Sequence, residues 1–201
     1  MTSADKTQKL LELSASYDAL LYDVDGTLAD NMSAHKAAYA AAALEYGIHL
    51  DTDLIDETAG WPTVAVAELI AQRYDKRFDS DEFALRKSTI FRTEYIQQTK
   101  PVTHVMQHLR QEVGKKKIGL VSGGTRKTLE VTLEVIGVKG LYETLVCAGD
   151  TPNGKPSPEP FLLAAKQLGI DPERCFVLED GDPGVQGAIA AGMGWVRIDQ
   201  L

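Results

Sequence analysis

Five short, almost uninterrupted apolar runs recur along the chain, at residues 17–23, 117–121, 144–148, 175–178 and 194–198. Apolar runs without polar alternation are the pattern of strands buried on both faces. Segments with helical spacing follow or separate the later runs, at residues 125–136, 158–168 and 183–191. Strands and helices in this alternation predict an α/β fold, a doubly wound parallel sheet covered on both faces.

Residues 29–99 break that rhythm, with helical patterns alone at 32–46, 63–74 and 81–98. About 70 residues is far more than the dozen or so that a crossover between parallel strands needs. The expected organisation is therefore a core made from residues 1–29 and 100–201, with residues 30–99 inserted as a helical cap. Hinges are expected near Asp30 and Asn31 and near Thr99 to Pro101, and a further short helix at residues 5–16.

Composition removes several classes of function. The chain has 201 residues, 44% of them hydrophobic and 25% charged, enough to bury a large core. A formal charge of −8 disfavours a nucleic-acid partner, because phosphate backbones want a basic face. The longest apolar stretches are too short to cross a bilayer. The first residues lack the pattern of a secretory signal, and there are two cysteines, Cys147 and Cys175, so a reducing cytoplasm is expected. Both cysteines read as small apolar residues of buried strands, Trp195 reads as core, and Lys115 to Lys117 read as a solvated turn. A monomer acting on a small molecule is expected.

Ligands of open α/β sheets sit beyond the carboxyl ends of the strands, near the point where strand order reverses. At those ends stand Asp23-Val24-Asp25-Gly26-Thr27, Ser122-Gly123-Gly124, Gly154-Lys155-Pro156-Ser157-Pro158 and Glu179-Asp180-Gly181-Asp182. Asp23 and Asp25 lie two apart on extended backbone and so face one ligand while Val24 packs inward. With Glu179 and Asp180 they would repel one another in a partly buried site. Hard oxygen donors without a His or Cys cluster select Mg²⁺, which favours the company of a phosphate. Ser122, the Gly123 amide and Lys155 offer donors to that phosphate.

These four clusters, in this order, resemble the four motifs of the haloacid dehalogenase superfamily, and the likeness covers almost the whole chain. The stretches Gly154 to Pro160 and Leu178 to Ala188, with the cap placed after the first motif, resemble its β-phosphoglucomutase-like subfamily, most of all the fructose-1-phosphatase type of sugar-phosphate phosphatase. The resemblance implies that Asp23 is the nucleophile and Asp25 the general acid and base. It implies a phosphoryl group on Ser122, Gly123 and Lys155, and Mg²⁺ on Asp23, the Asp25 carbonyl, Glu179 and Asp180. The acid at position 25 favours phosphoryl transfer over dehalogenation, since a halide leaves without a proton. A mutase of this subfamily is expected to carry a cap arginine in a Gly-x-x-Arg stretch, whereas this chain reads Gly60-Trp61-Pro62-Thr63. Hydrolysis of a sugar monophosphate is thus the first reading, a phosphosugar mutase the second, and a phospho-acceptor signalling or binding module the third.

The cap residues are read less sharply. Asn31, His35, Trp61, Thr63 and Lys87 are the candidate substrate-facing side chains. His35 is balanced between cap surface and a role in placing Asp25, and Trp61 between lining a pocket and packing. Lys87, with Arg86 and Arg92 nearby, reads as part of a solvated helix face. Taken singly, each strand-end residue could be a turn or a helix cap, Asp180 included.

Overall fold

The computed structural model describes residues 1–58 and 60–201. In chain order its elements are α1 (Ser3–Ser14), β1 (Ala19–Tyr22), β2 (Ala29–Asp30), α2 (Met32–Glu45), α3 (Asp53–Glu57), α4 (Thr63–Arg73), α5 (Ser80–Ile90), β3 (Lys100–Pro101) and α6 (Thr103–Glu112). There follow β4 (Lys117–Val121), α7 (Arg126–Val135), β5 (Thr144–Val146), α8 (Glu159–Leu168), β6 (Cys175–Glu179), α9 (Asp182–Ala190) and β7 (Gly194–Arg197).

Five strands form one parallel sheet in the order β5-β4-β1-β6-β7. The chain steps outward from β1 through β4 to β5, then returns to the other side of β1 for β6 and β7. Strand order therefore reverses at β1, and the carboxyl ends of β1, β4 and β6 surround the switch point. Strand period sorts the side chains: Leu20, Tyr22, Ile118 and Leu120 pack under α1, α6 and α7, while Ala19, Leu21, Val121 and Val177 pack under α8 and α9.

Helices α2 to α5 bury a cluster of their own, with Ala38, Ala42, Leu54, Val66, Ile70, Phe83 and Phe91 at its centre. The two connections between this helical insertion and the sheet are paired with each other. Ala29 lies opposite Pro101 and Asp30 opposite Lys100 in an antiparallel ribbon.

Three expectations are corrected, and one helix appears that the sequence pattern did not show. The helix expected over residues 81–98 ends at Ile90 and passes into a π turn (Phe91–Tyr95) and a 3-10 turn (Ile96–Gln98). The π turn places the Phe91 ring flat against His35, with centroids 4.0 Å apart. Trp195 is 43% exposed rather than core, because β7 is an edge strand with a neighbour on one side. Lys116 is no solvated turn residue: its ammonium donates to the carbonyls of Ser14, Ala15 and Tyr17, at and just beyond the end of α1. Thr103–Glu112 is a helix that strand-like runs do not reveal, and its His108 bridges the Ser14 and Tyr22 hydroxyls at 3.0 and 2.9 Å. No helix among the described residues is long and apolar enough to cross a membrane.

Candidate active site

The sheet side of the site is built by three strand ends. Leaving β1, the Asp23 amide still donates to the Leu178 carbonyl at 3.0 Å, so Asp23 is fixed by β6 although it lies outside the strand. Val24 is fully buried, and its carbonyl accepts from the amides of Leu28 and Ala29, which closes residues 24–29 into a tight turn. Gly26 adopts φ +91°, and a Cβ there would collide with the Asp180 carboxylate. Thr27 holds that carboxylate by donating to Asp180 Oδ1 at 2.9 Å. Asp180 is thus tied back to the first turn and does not cap α9, whose N-cap is Gly181.

Lys155 joins the three strand ends. Its ammonium, on a residue 4% exposed, donates to Asp23 Oδ1 at 2.6 Å, to the Val121 carbonyl at 2.9 Å and to Glu179 Oε1. The other Glu179 oxygen accepts from the amides of Asp180 and Gly181, at 3.2 and 3.4 Å. Glu179 also lies where Gly184 of α9 leaves no room for a Cβ. At the end of β4 the Ser122 amide donates to the Val146 carbonyl at 3.0 Å, and Ser122 Oγ accepts from the Gly124 amide at 3.1 Å.

Charge in this cluster is unbalanced. Carboxylate oxygens of Asp23, Glu179 and Asp180 lie within 4.8 Å of one another, with Lys155 as the ammonium among them. Burial drives the Asp23 carboxyl well above its ordinary range; Lys155 opposes this, and Glu179 and Asp180 add to it. Burial and Glu179 likewise push Asp180 up to about 6. A cation with oxygen preference fits such a set, since it would allow all three groups to ionise together.

Opposite lies the helical insertion. Met32, His35 and Tyr39 share one face of α2 at helical spacing and look into the same cavity as Asp23 and Asp25. His35 Nε2 stands 3.2 Å from Asp25 Oδ1, and Asn31 Nδ2 donates to the same oxygen at 2.7 Å. On the far side of the ring, Lys87 Nζ is 2.8 Å from His35 Nδ1. An ammonium has donors alone, so Nδ1 must accept, which leaves Nε2 as the N–H that faces Asp25. Burial first and Lys87 second lower the His35 pKa, in keeping with a neutral ring. Burial would raise Asp25, but His35 and Asn31 hold it down at about 2.

Lys87 is therefore not on a solvated face: it is 4% exposed and lies 4.2 Å over the Tyr39 ring. The sequence signal misleads because its neighbour Arg86 does point outward, to Glu45, while Arg92 is half-buried and reaches Thr128 of α7. His35, Trp61, Thr63 and Lys87 all line the cavity, whereas Asn31 reaches it through Asp25. Met32, Tyr39, Ile55, Thr58 and Val66 also line it and were not legible as site residues, having the residue types of an ordinary helix core.

The segment Gly60 to Pro62 straps the insertion onto the sheet. A Cβ on Gly123 would stand 2.5 Å from the Gly60 carbonyl oxygen and 3.0 Å from that of Trp61, and one on Gly154 would stand 2.9 Å from Pro62 Cγ. Beneath the strap the cavity measures about 70 Å³.

A doubly wound sheet, a lysine-bound carboxylate cluster at its switch point and a helical insertion after the first strand together define a class of protein. A family model for haloacid dehalogenase-like hydrolases matches residues 17–192, and the chain belongs to that family. It is 28% identical over 185 residues to the fructose-1-phosphate phosphatase YqaB of Escherichia coli, covering 92% of this chain and 98% of that protein. It is 27% identical to the validoxylamine A 7'-phosphate phosphatase of Streptomyces hygroscopicus, over 88% of this chain and 83% of that one. Among solved structures, the β-phosphoglucomutase of Clostridium difficile superposes with a TM-score of 0.80 at 24% identity, covering 89% of this chain and 83% of that one.

Proposed function

We propose that this hydrolase is a phosphatase that cleaves a small phosphorylated metabolite, a sugar monophosphate, through an aspartyl-phosphate on Asp23, with residues 30–99 serving as its cap. The observation that carries the reading is the meeting of Asp23, Lys155 and Glu179 in one buried cluster, with Asp25 facing the same cavity from the same turn. Phosphatase relatives that cover most of this chain support it.

In this mechanism Asp23 attacks phosphorus and the sugar oxygen leaves, so one hard hydrolysis becomes two displacements. Asp25 protonates the leaving oxygen and then takes the proton of the attacking water. Its low pKa in the free protein suits the second task, and an arriving phosphate dianion would raise it by like-charge repulsion and so load the proton for the first. His35 positions Asp25 by donating from Nε2, and this bond depends on α2 being docked. Cap closure and correct placement of the acid are thereby one event. Ser122 and the Gly123 amide bind the phosphoryl oxygens, while Lys155, expected from the sequence to join them, has its three donors taken by Asp23, Val121 and Glu179 and contributes its positive charge beside Asp23.

The acidic cluster fits Mg²⁺, held by Asp23, Asp180 and the Asp25 carbonyl with Glu179 beside it. When bound, the ion neutralises the crowded carboxylates and draws charge from the phosphoryl oxygens. Thr63, uncharged at the start of α4, supports hydrolysis over a mutase that must grip a second phosphate.

The test is release of inorganic phosphate from a panel of sugar monophosphates with Mg²⁺, beside Asp23→Asn. Loss of at least about 10⁴-fold in kcat is expected, the scale seen when a nucleophile is removed. Undiminished release by Asp23→Asn would defeat the proposal. Mg²⁺ at a hundred times its Kd should also raise folding stability by about 2.7 kcal/mol, a gain that a chelator reverses.

A further inference from the structure

The two halves of the cavity differ in the charge they offer. On the insertion side, Lys87 is the one charged residue of the lining among those described, His35 being neutral. Its ammonium holds His35 Nδ1 at 2.8 Å with one donor and lies 4.2 Å over the Tyr39 ring. Around it Met32, Ile55, Trp61 and Val66 present apolar surface. The Thr58 hydroxyl points away to the Leu54 carbonyl. A second anionic group on a substrate would meet this wall desolvated, with Lys87, the donor to His35, as its one cation among the described residues. If it recruited Lys87, it would pull the ammonium from His35 and undo the chain that holds Asp25.

Resting on the phosphatase reading, we propose that the substrate carries its phosphoryl group as its single anionic group, on an uncharged polyol or sugar, and that the cap rejects bisphosphates and phosphorylated carboxylates. Apolar walls suit the C–H faces of such an alcohol, and Trp61 offers the aromatic one.

The experiment compares kcat/KM within matched pairs: glycerol 3-phosphate against 3-phosphoglycerate, and fructose 1-phosphate against fructose 1,6-bisphosphate, with p-nitrophenyl phosphate as a general monophosphate. The singly anionic member of each pair is expected to be favoured by about 100-fold or more, as when a site leaves a polar group unpaired. Equal values within the pairs would overturn the proposal while leaving the phosphatase intact. Release from none of the compounds, p-nitrophenyl phosphate included, would instead remove the phosphatase reading itself. A second arm uses Met32→Lys, which sets a cation on a flexible stem at a half-buried position of the lining. It should narrow the ratio by about tenfold or more. A ratio left unchanged would show that charge is not what the cap reads.

Discussion

Lys155 binds Asp23 on the sheet side of the cavity and Lys87 lines its opposite wall, each 4% exposed, yet their surroundings are opposite in kind. Lys155 meets two carboxylates and a carbonyl, and these partners outweigh burial and hold its pKa above the ordinary value. Lys87 meets a neutral imidazole and aromatic faces, and burial pulls it down to about 8. Residue type and burial alone therefore say little about a lysine. On the sheet side the charge is matched and is part of what holds the strand ends together; on the side of the helical insertion an unmatched charge is kept at a cost in stability.

The contrast is most easily broken at Lys155. Lys155→Met leaves Asp23 and Glu179 buried together without their cation, and should cost about 3–5 kcal/mol, read from urea denaturation without added metal, along with phosphate release. A variant as stable as the parent would show that the pair is not structural. Lys87→Met should act with the opposite sign. Between pH 8 and 10.5 the unfolded chain keeps a proton that folded Lys87 has lost, so this group makes the parent's stability rise with pH across that window. Below pH 8 the penalty is present in full, about 3 kcal/mol at most. Lys87→Met is thus expected to be more stable than the parent at pH 7, with the gain fading toward pH 10.5, while kcat falls as Nδ1 of His35 loses its donor. Destabilisation at pH 7 would mean that the Tyr39 contact outweighs the buried charge.

Smaller effects sharpen the same comparison. Gly123→Ala sets a methyl 2.5 Å from the Gly60 carbonyl oxygen and should hold the strap off the sheet. A loss of about 10- to 100-fold in kcat/KM is expected, with folding stability little changed, because displacement of about 1 Å can cost that much. Unchanged kinetics would show that the strap does not need to seat. His108 is a buried histidine remote from the cavity, drawn to about 4 mainly by burial. The unfolded chain binds the proton first as pH falls from 6.5 toward 4, so the contribution of His108 is lost across that window. His108→Gln should flatten the acid side of the stability curve and leave turnover at neutral pH alone; altered turnover would tie this network to the site.

The four strand-end clusters were legible because their placement is nearly local. A buried strand shows as an apolar run, the turn that ends it shows in the next residues, and parallel topology brings all such ends to one edge. The partners of His35 were not legible. Lys87 lies 52 positions away on another helix, and α2 is so rich in alanine that its buried face carries little pattern. Thr27 reads as a turn residue, and its hold on Asp180 exists because β6 lies next to β1.

By itself the sequence determined the parallel sheet and the gathering of carboxylates at its switch point, since strand period, turn residues and charge are properties of short segments. Tertiary structure alone decided which way Lys87 points, that Phe91 lies against His35, and that Gly123 and Gly154 carry the strap. Each of these depends on the register of one helix or loop upon another, and that register is set by side-chain packing over the whole insertion rather than by any local pattern.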